Sequence, residues 1–273
     1  MLNSSESVKS KRGVLLFAFN SGTVNYVSIA DSAARLITRY LNLPVTLVTD
    51  VGAITTFDYD QVINVDTASG NLRQDLSGNQ VEWKNFDRFT AYKLSPYEET
   101  LLLDTDYLVL DDSLLKLFDS CVDYRLMHFN RDTKGVTNDS MGPVSLPFVW
   151  ATILVFKKTE KSKLLFDMVG RIQRNYAYYC RLYNIGGRSY RNDYAFAIAN
   201  NIVSGYSLNE DQAIPWAMFT VSEKITQVAT HGSLLVIRLK DSAVVIPQQS
   251  MHVMDKDYLQ SQYFVNFVKE MCA

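Results

Sequence analysis

Within the first fifty residues an apolar run, a helical repeat and a second apolar run follow one another, and this order constrains the fold more than any other feature. "GVLLFAF" (13 to 19) reads as a strand, "VNYVSIADSAARLITRYLN" (24 to 42) as a helix and "PVTLVTD" (44 to 50) as a second strand. A strand, helix and strand in succession form the crossover unit of a parallel sheet. "QVINVD" (61 to 66) continues the pattern as a third short strand. Residues 67 to 82 are polar and irregular, and "EWKNFDRFTAYKLSPY" (82 to 97) then predicts a helix stopped near Pro96. The strand that follows ends at Asp104. Further strands are predicted at 124 to 129 and 149 to 156, with shorter ones near 214 to 221, 225 to 230 and 234 to 239. Helices are predicted at 159 to 182, 192 to 202 and 255 to 270.

No internal repeat or low-complexity segment interrupts the chain, so its 273 residues predict a single domain. Residues 1 to 112 are expected to be its nucleotide-binding half and 113 to 273 its acceptor-binding half, on the motifs described below. With 47% hydrophobic and 21% charged residues it can bury a large core. No run approaches a membrane span, and "MLNSSESVKSKRG" lacks the apolar segment of a secretory signal, which implies the cytosol. Cys121, Cys180 and Cys272 are odd in number and widely spaced, which suits reduced structural thiols. The net charge of -2 gives no global basic field, so nucleic-acid binding would need a local patch.

In "YEETLLLDTDYLVLDD" (97 to 112) the apolar run is broken by Asp104 and Asp106. Extended backbone would point both carboxylates to one side and Thr105 to the other. Two close carboxylates repel, and a shared cation relieves the repulsion. At the end of a parallel strand, where open α/β sheets bind ligands, oxygen ligands favour Mg2+ or Mn2+. The D-x-D spacing alone is weak evidence, because "DYD" (Asp58, Asp60) and "DKD" (Asp255, Asp257) repeat it. Only the match at 104 to 106 terminates an apolar strand and follows a segment carrying Arg88 and Lys93, cations suited to a diphosphate.

"SPYEETLLLDTDYLVLDD" resembles the D-x-D segment of GT-A glycosyltransferases of the glycogenin and bacterial galactosyltransferase type, and the resemblance extends over most of the chain. It implies a Rossmann-like α/β fold with a mixed, mainly parallel sheet flanked by helices. It also implies a UDP-sugar donor and Mn2+ or Mg2+ held by Asp104, Asp106 and His252. Ala18, Phe19, Asn20, Tyr26, Arg88 and Thr105 match the nucleotide-binding positions, and Lys256 is placed to reach the diphosphate. There are departures on the sugar and acceptor side. The family's Asn-Ala-Gly strand start appears as Trp150, Ala151 and Thr152, and its Asp-Gln pair as Asn192 and Asp193. The glycine-rich, Lys-Pro-Trp ending is missing.

Asp193 is the candidate acceptor-side carboxylate, with Asn192 beside it; the alternative is a helix cap. His128, inside an apolar run, reads as a core or strand-face histidine, whereas His252 stands before a helix and serves either as a metal ligand or as a free loop residue. "RIQRNYAYYCRLYNIGGRSYRN" (171 to 192) interleaves Arg171, Arg174, Arg181, Arg188 and Arg191 with five tyrosines. It reads as a DNA grip, a polysaccharide-binding surface or an amphipathic helix with core tyrosines. The chain also looks similar to glycosyltransferases of tailed phages that modify hydroxymethylcytosine in DNA, which implies a DNA acceptor in the host cytoplasm. A transferase for cell-surface polysaccharide or lipopolysaccharide, and a non-catalytic nucleotide-sugar module, are the competing readings.

Overall fold

The computed structural model describes residues 11–66, 72–74, 80–121, 123–138, 146–185, 189–207 and 210–273. Its centre is a six-stranded sheet in the order Gln61–Val65, Val45–Asp50, Arg12–Ala18, Glu99–Leu103, Trp150–Lys157 and Tyr124–Met127. The first four strands run parallel, and Trp150–Lys157 runs antiparallel to both of its neighbours. Strands from either side of residue 112 therefore share one sheet. Alternate side chains serve opposite layers: Leu15, Phe17, Leu102, Leu154 and Phe156 face one core, while Val14, Leu16, Leu101, Leu103, Ile153 and Val155 face the other. A sheet covered on both faces must be apolar at every position, which is why these strands read as continuous apolar runs.

The helix Tyr26–Leu41 starts where Asn25 accepts a hydrogen bond from the Ser28 amide at 2.9 Å, and it ends at Asn42 in a left-handed conformation. It packs on the C-terminal helix Gln262–Cys272 through a third core that includes Ile29, Leu36, Phe264 and Phe267. That core also lies under a five-stranded sheet ordered Thr137–Asn138, Asn130–Asp132, Met218–Val221, Met251–Val253 and Tyr107–Leu108. A three-stranded antiparallel sheet, Ile225–His231, Leu234–Leu239 and Ala243–Pro247, completes it.

Three predicted helices are corrected. Residues 82 to 97 start at the end of the strand Gln80–Glu82, and their helical structure is limited to the 3-10 turn Arg88–Thr90 and the short helix Ala91–Leu94. The carbonyls of Asn85 and Phe86 accept instead from the side chains of Asn192 and Gln173, at 2.9 and 3.0 Å, so long-range partners displace the helical ladder. The 159 to 182 helix breaks into Glu160–Arg174 and Tyr176–Leu182 at Asn175, whose Nδ2 donates to the Arg171 carbonyl at 2.9 Å. The 255 to 270 helix breaks into Lys256–Leu259 and Gln262–Cys272, because Ser261 caps the second piece through the Phe264 amide. The strands of two or three residues at 107–108, 130–132, 137–138 and 251–253 are too short to show a period and were not predicted.

Candidate active site

Ala18, Asp50, Val65 and Leu103 end the four parallel strands, and the chain segments that leave them share one edge of the sheet. Asp104 follows Leu103 directly, and its amide donates to the Thr152 carbonyl at 2.9 Å. The backbone then turns instead of staying extended. The Tyr107 amide donates back to the Asp104 carbonyl at 3.1 Å, so strand alternation does not govern residues 104 to 106. This corrects the expectation that both carboxylates point to one side. Thr105 is buried within the turn.

The turn gives the two acids different partners. Asp104 accepts from Nη1 of Arg88, a side chain that is only 1% exposed. Asp106 accepts from Lys256 Nζ at 2.6 Å and faces His252 Nε2 at 3.5 Å, both on its Oδ2. The short strand Met251–Val253 brings His252 into register with Tyr107, and the Val253 amide donates to the Asp106 carbonyl at 2.9 Å. A backbone ladder between segments far apart in sequence, pairing Tyr107 with His252, therefore builds the Asp106, His252 and Lys256 group.

Electrostatics separates the acids further. Burial raises Asp104 above the ordinary carboxylate range, with Arg88 opposing and Asp106 adding to the rise. Burial works in the same direction on Asp106, but Lys256 and His252 outweigh it and hold that carboxylate well below the ordinary range. Three side chains here keep four buried atoms without a hydrogen-bond partner: Asp106 Oδ1, His252 Nδ1, and Nε and Nη2 of Arg88. Such atoms are rare in folded proteins and point to a ligand that would satisfy them. Two carboxylates and an imidazole are a donor set suited to Mn2+ or Mg2+, and the open Asp106 and His252 atoms fit that use. Among the described residues, however, no three His, Cys, Asp or Glu side chains converge as a ready-made metal cluster, and Arg88 and Lys256 stand beside the carboxylates.

The acceptor-side candidates meet at the same edge. The Trp150–Lys157 strand pairs irregularly with Tyr124–Met127 between Trp150 and Leu154. Next to that irregularity the Ala151 amide donates to Asp193 Oδ1 at 3.0 Å, and Arg191 holds the other Asp193 oxygen at 3.3 Å. Asp193 lies in the first turn of the helix Asn192–Val203 without capping it, so the helix-cap alternative does not describe its side chain. Asn192 is buried, donating to the Asn85 carbonyl at 2.9 Å and accepting from Tyr190 at 3.1 Å. Trp150 packs against Phe148 with ring centroids 4.8 Å apart, and its Nε1 is buried without a partner.

Other predicted residues have more structural roles. Ala18 and Phe19 are buried, and Asn20 accepts from the Val27 amide at 3.0 Å at the start of the first helix. Tyr26 is half-buried between two cores. Lys93 is exposed, with no partner among the described residues. Arg174, Arg181 and Arg191 are exposed, while Tyr176, Tyr179 and Tyr190 are core residues. The stretch is thus largely amphipathic structure and not a row of free stacking rings. Arg188 lies outside the described residues. His128 is buried, with Nδ1 2.6 Å from the Phe148 carbonyl. Asp255 is buried and accepts from the Ile225 amide at 2.9 Å, a structural role.

Sequence reasoning missed Asp50 and Lys84, and it met Tyr190 only as one of the five interleaved tyrosines, not as a core residue. Lys84 Nζ lies 3.4 Å from Asp50 Oδ2 at the strand edge, and Tyr190 packs on Phe86 at 4.7 Å. Asp50 carried a usable signal, since it closes an apolar strand as Asp104 does. The other two are recognisable only once the chain is folded.

No protein-family model and no curated protein matches the chain. Among solved structures it is similar to an active-site mutant of LgtC, with 12% identity over 95% of this chain and 94% of that one, at a TM-score of 0.49. The galactosyltransferase LgtC in complex with donor and acceptor sugar analogues is 14% identical over 69% of this chain and 70% of that one, at a TM-score of 0.44. The glycosyltransferase GlyE of Streptococcus pneumoniae TIGR4 is 14% identical over 75% of this chain, at a TM-score of 0.41. The match spans 44% of the GlyE chain, less than half its length. At these identities and scores the similarities assign neither activity nor substrate to this chain.

Proposed function

We propose that the chain is a GT-A glycosyltransferase that moves a sugar from a UDP-sugar to an acceptor hydroxyl. The observation that carries this reading is the meeting of Arg88, Asp104, Asp106, His252 and Lys256 at the carboxyl edge of a parallel sheet, with buried polar atoms still unpaired. Asp104, Asp106 and His252 would hold Mn2+ or Mg2+, and such a cation neutralises negative charge on a departing nucleoside diphosphate. Arg88, buried at the site, and Lys256 add positive charge for the same phosphates. Ala18, Phe19, Asn20, Tyr26 and Thr105 line or support the nucleotide's side of the edge, and Lys93 is available to phosphate from solvent. In the transfer the bond from the sugar C1 to the diphosphate oxygen breaks, with its electron pair leaving on that oxygen. A new bond then joins C1 to the acceptor oxygen, and Asp193, positioned by Ala151 and Arg191, receives the hydroxyl proton. Asn192 and Trp150 shape the acceptor side of this carboxylate.

For the acceptor we propose hydroxymethylcytosine in DNA. What supports it is the exposed cationic side chains of Arg174, Arg181 and Arg191 on the segment leading to Asp193, with Arg188 in the same run. The test is to incubate the protein with a panel of UDP-sugars, Mn2+ and either hydroxymethylated DNA, plain DNA or no DNA, and to weigh the product nucleosides. A sugar mass added only to hydroxymethylcytosine is the expected result. UDP release without DNA transfer would move the acceptor to a surface polysaccharide or lipopolysaccharide. UDP-sugar binding without release would make the chain a binding module.

A further inference from the structure

The ammonium of Lys256 occupies an unusual position for a residue expected to meet phosphates. Its Nζ lies 2.6 Å from Asp106 Oδ2, 3.2 Å from the Met254 carbonyl and 3.3 Å from the Val253 carbonyl. Three acceptors match the three protons of an ammonium, and only one of them is charged. The same oxygen of Asp106 also faces His252 Nε2 at 3.5 Å. Lysine thus stands where a cation shared by Asp106 and His252 would draw on the carboxylate. The Lys256 side chain is 19% exposed and that of Asp106 is 14% exposed, so each needs the other's charge.

The anchoring of Lys256 permits exchange. Its helix begins after Asp255, which is fixed by the Ile225 amide at 2.9 Å and Lys224 at 3.0 Å, so the backbone at 256 is held. Beyond that fixed backbone the ammonium sits on a flexible four-carbon stem with three rotatable donors, long enough to exchange one anion for another nearby. We infer that Lys256 is an exchangeable counter-ion: it neutralises Asp106 when no cation is bound and transfers its charge to the donor's diphosphate when one is. A divalent cation held by Asp106 would compete with the ammonium for its one anionic partner among the described residues, and the diphosphate would offer Lys256 another. Cation and diphosphate then bind as a coupled pair, each raising the affinity of the other by the same factor. This rests on the proposed donor and metal site.

The test is Mn2+ titration, followed by the paramagnetic resonance of free Mn2+, with and without UDP, on the wild-type chain and on Lys256→Met. Wild-type affinity for Mn2+ alone is expected to be weak and to rise about tenfold or more when UDP is present. In Lys256→Met, Mn2+ alone should bind about tenfold tighter than to the wild type, and the enhancement by UDP should shrink to what direct attraction between cation and diphosphate supplies. Lys256→Arg, which retains the charge, should keep the wild-type coupling. A structural role would act with the opposite sign, since damage to the site lowers Mn2+ affinity. Equal or weaker Mn2+ binding by a folded Lys256→Met, or undiminished coupling to UDP, overturns the inference and leaves the metal site standing. Should Lys256→Met not fold, Lys256→Gln is read by the same criteria; coupling that stays undiminished after loss of the charge overturns the inference. If the wild type binds Mn2+ neither alone nor with UDP, the donor-site reading fails and takes the inference with it.

Discussion

The ion pair of Arg88 and Asp104 should respond unequally to the loss of its two members. Arg88 is 1% exposed and Asp104 is 29% exposed, so only the acid has access to water. Asp104→Ala leaves a guanidinium buried without a counter-charge, a change that costs about 3–5 kcal/mol. Arg88→Met fills a similar volume and removes Nε and Nη2, two buried donors without partners. Each such donor carries a desolvation cost of about 1–3 kcal/mol. Relief of that cost offsets the lost ion pair, and Asp104 rehydrates, so the net change should stay within about 1 kcal/mol. Urea denaturation of both variants and the double variant measures the difference directly, and the double variant should be close to Arg88→Met. Both single variants should lose Mn2+-dependent UDP-sugar hydrolysis, which separates stability from function. An Arg88→Met variant destabilised as much as Asp104→Ala would refute the argument, because the unpaired donors would then carry no cost.

Asp106→Asn should abolish Mn2+-dependent donor hydrolysis with the fold retained, while Asp58→Asn, on an exposed side chain, should leave it unchanged. Asp255→Ala should lower stability by about 1–3 kcal/mol through the stranded Ile225 amide, read from urea midpoints, without a specific loss of Mn2+ binding. Gly13→Ala would drive a methyl group into the ring of Tyr97, which is 2% exposed and bonded to Thr46 at 2.8 Å, and should cost about 1–3 kcal/mol. Wild-type stability there would mean that the ring can move aside. Burial lowers the His128 imidazole below its ordinary range, with the Phe148 carbonyl opposing. Its stabilising contribution is therefore complete above about pH 6.5 and declines as the pH falls toward the lowered folded value. His128→Gln should flatten that part of the curve of urea midpoint against pH, and an unchanged slope would remove His128 as its source.

The sequence by itself determined the central sheet, because a strand covered on both faces must be apolar throughout and Val14 to Phe19 and Leu101 to Leu103 satisfy that locally. It also determined the first helix, whose apolar spacing and flanking asparagines agree, and the acid that ends the fourth parallel strand. The tertiary structure decided what the acids do. Residues 104 to 106 turn, and the choice of Arg88 for Asp104 and of His252 with Lys256 for Asp106 depends on strands that pair across about half the chain. Residues 83 to 87 show the same limit. Their local pattern favours a helix, yet the carbonyls of Asn85 and Phe86 are taken by side chains more than 80 residues away. The arginine and tyrosine stretch was ambiguous for a related reason, since only packing against Trp83, Phe86 and Tyr176 reveals Tyr190 as core. Local pattern records which residues avoid water. Which polar group meets which is set by contacts between distant segments, and these exist only once the chain has folded.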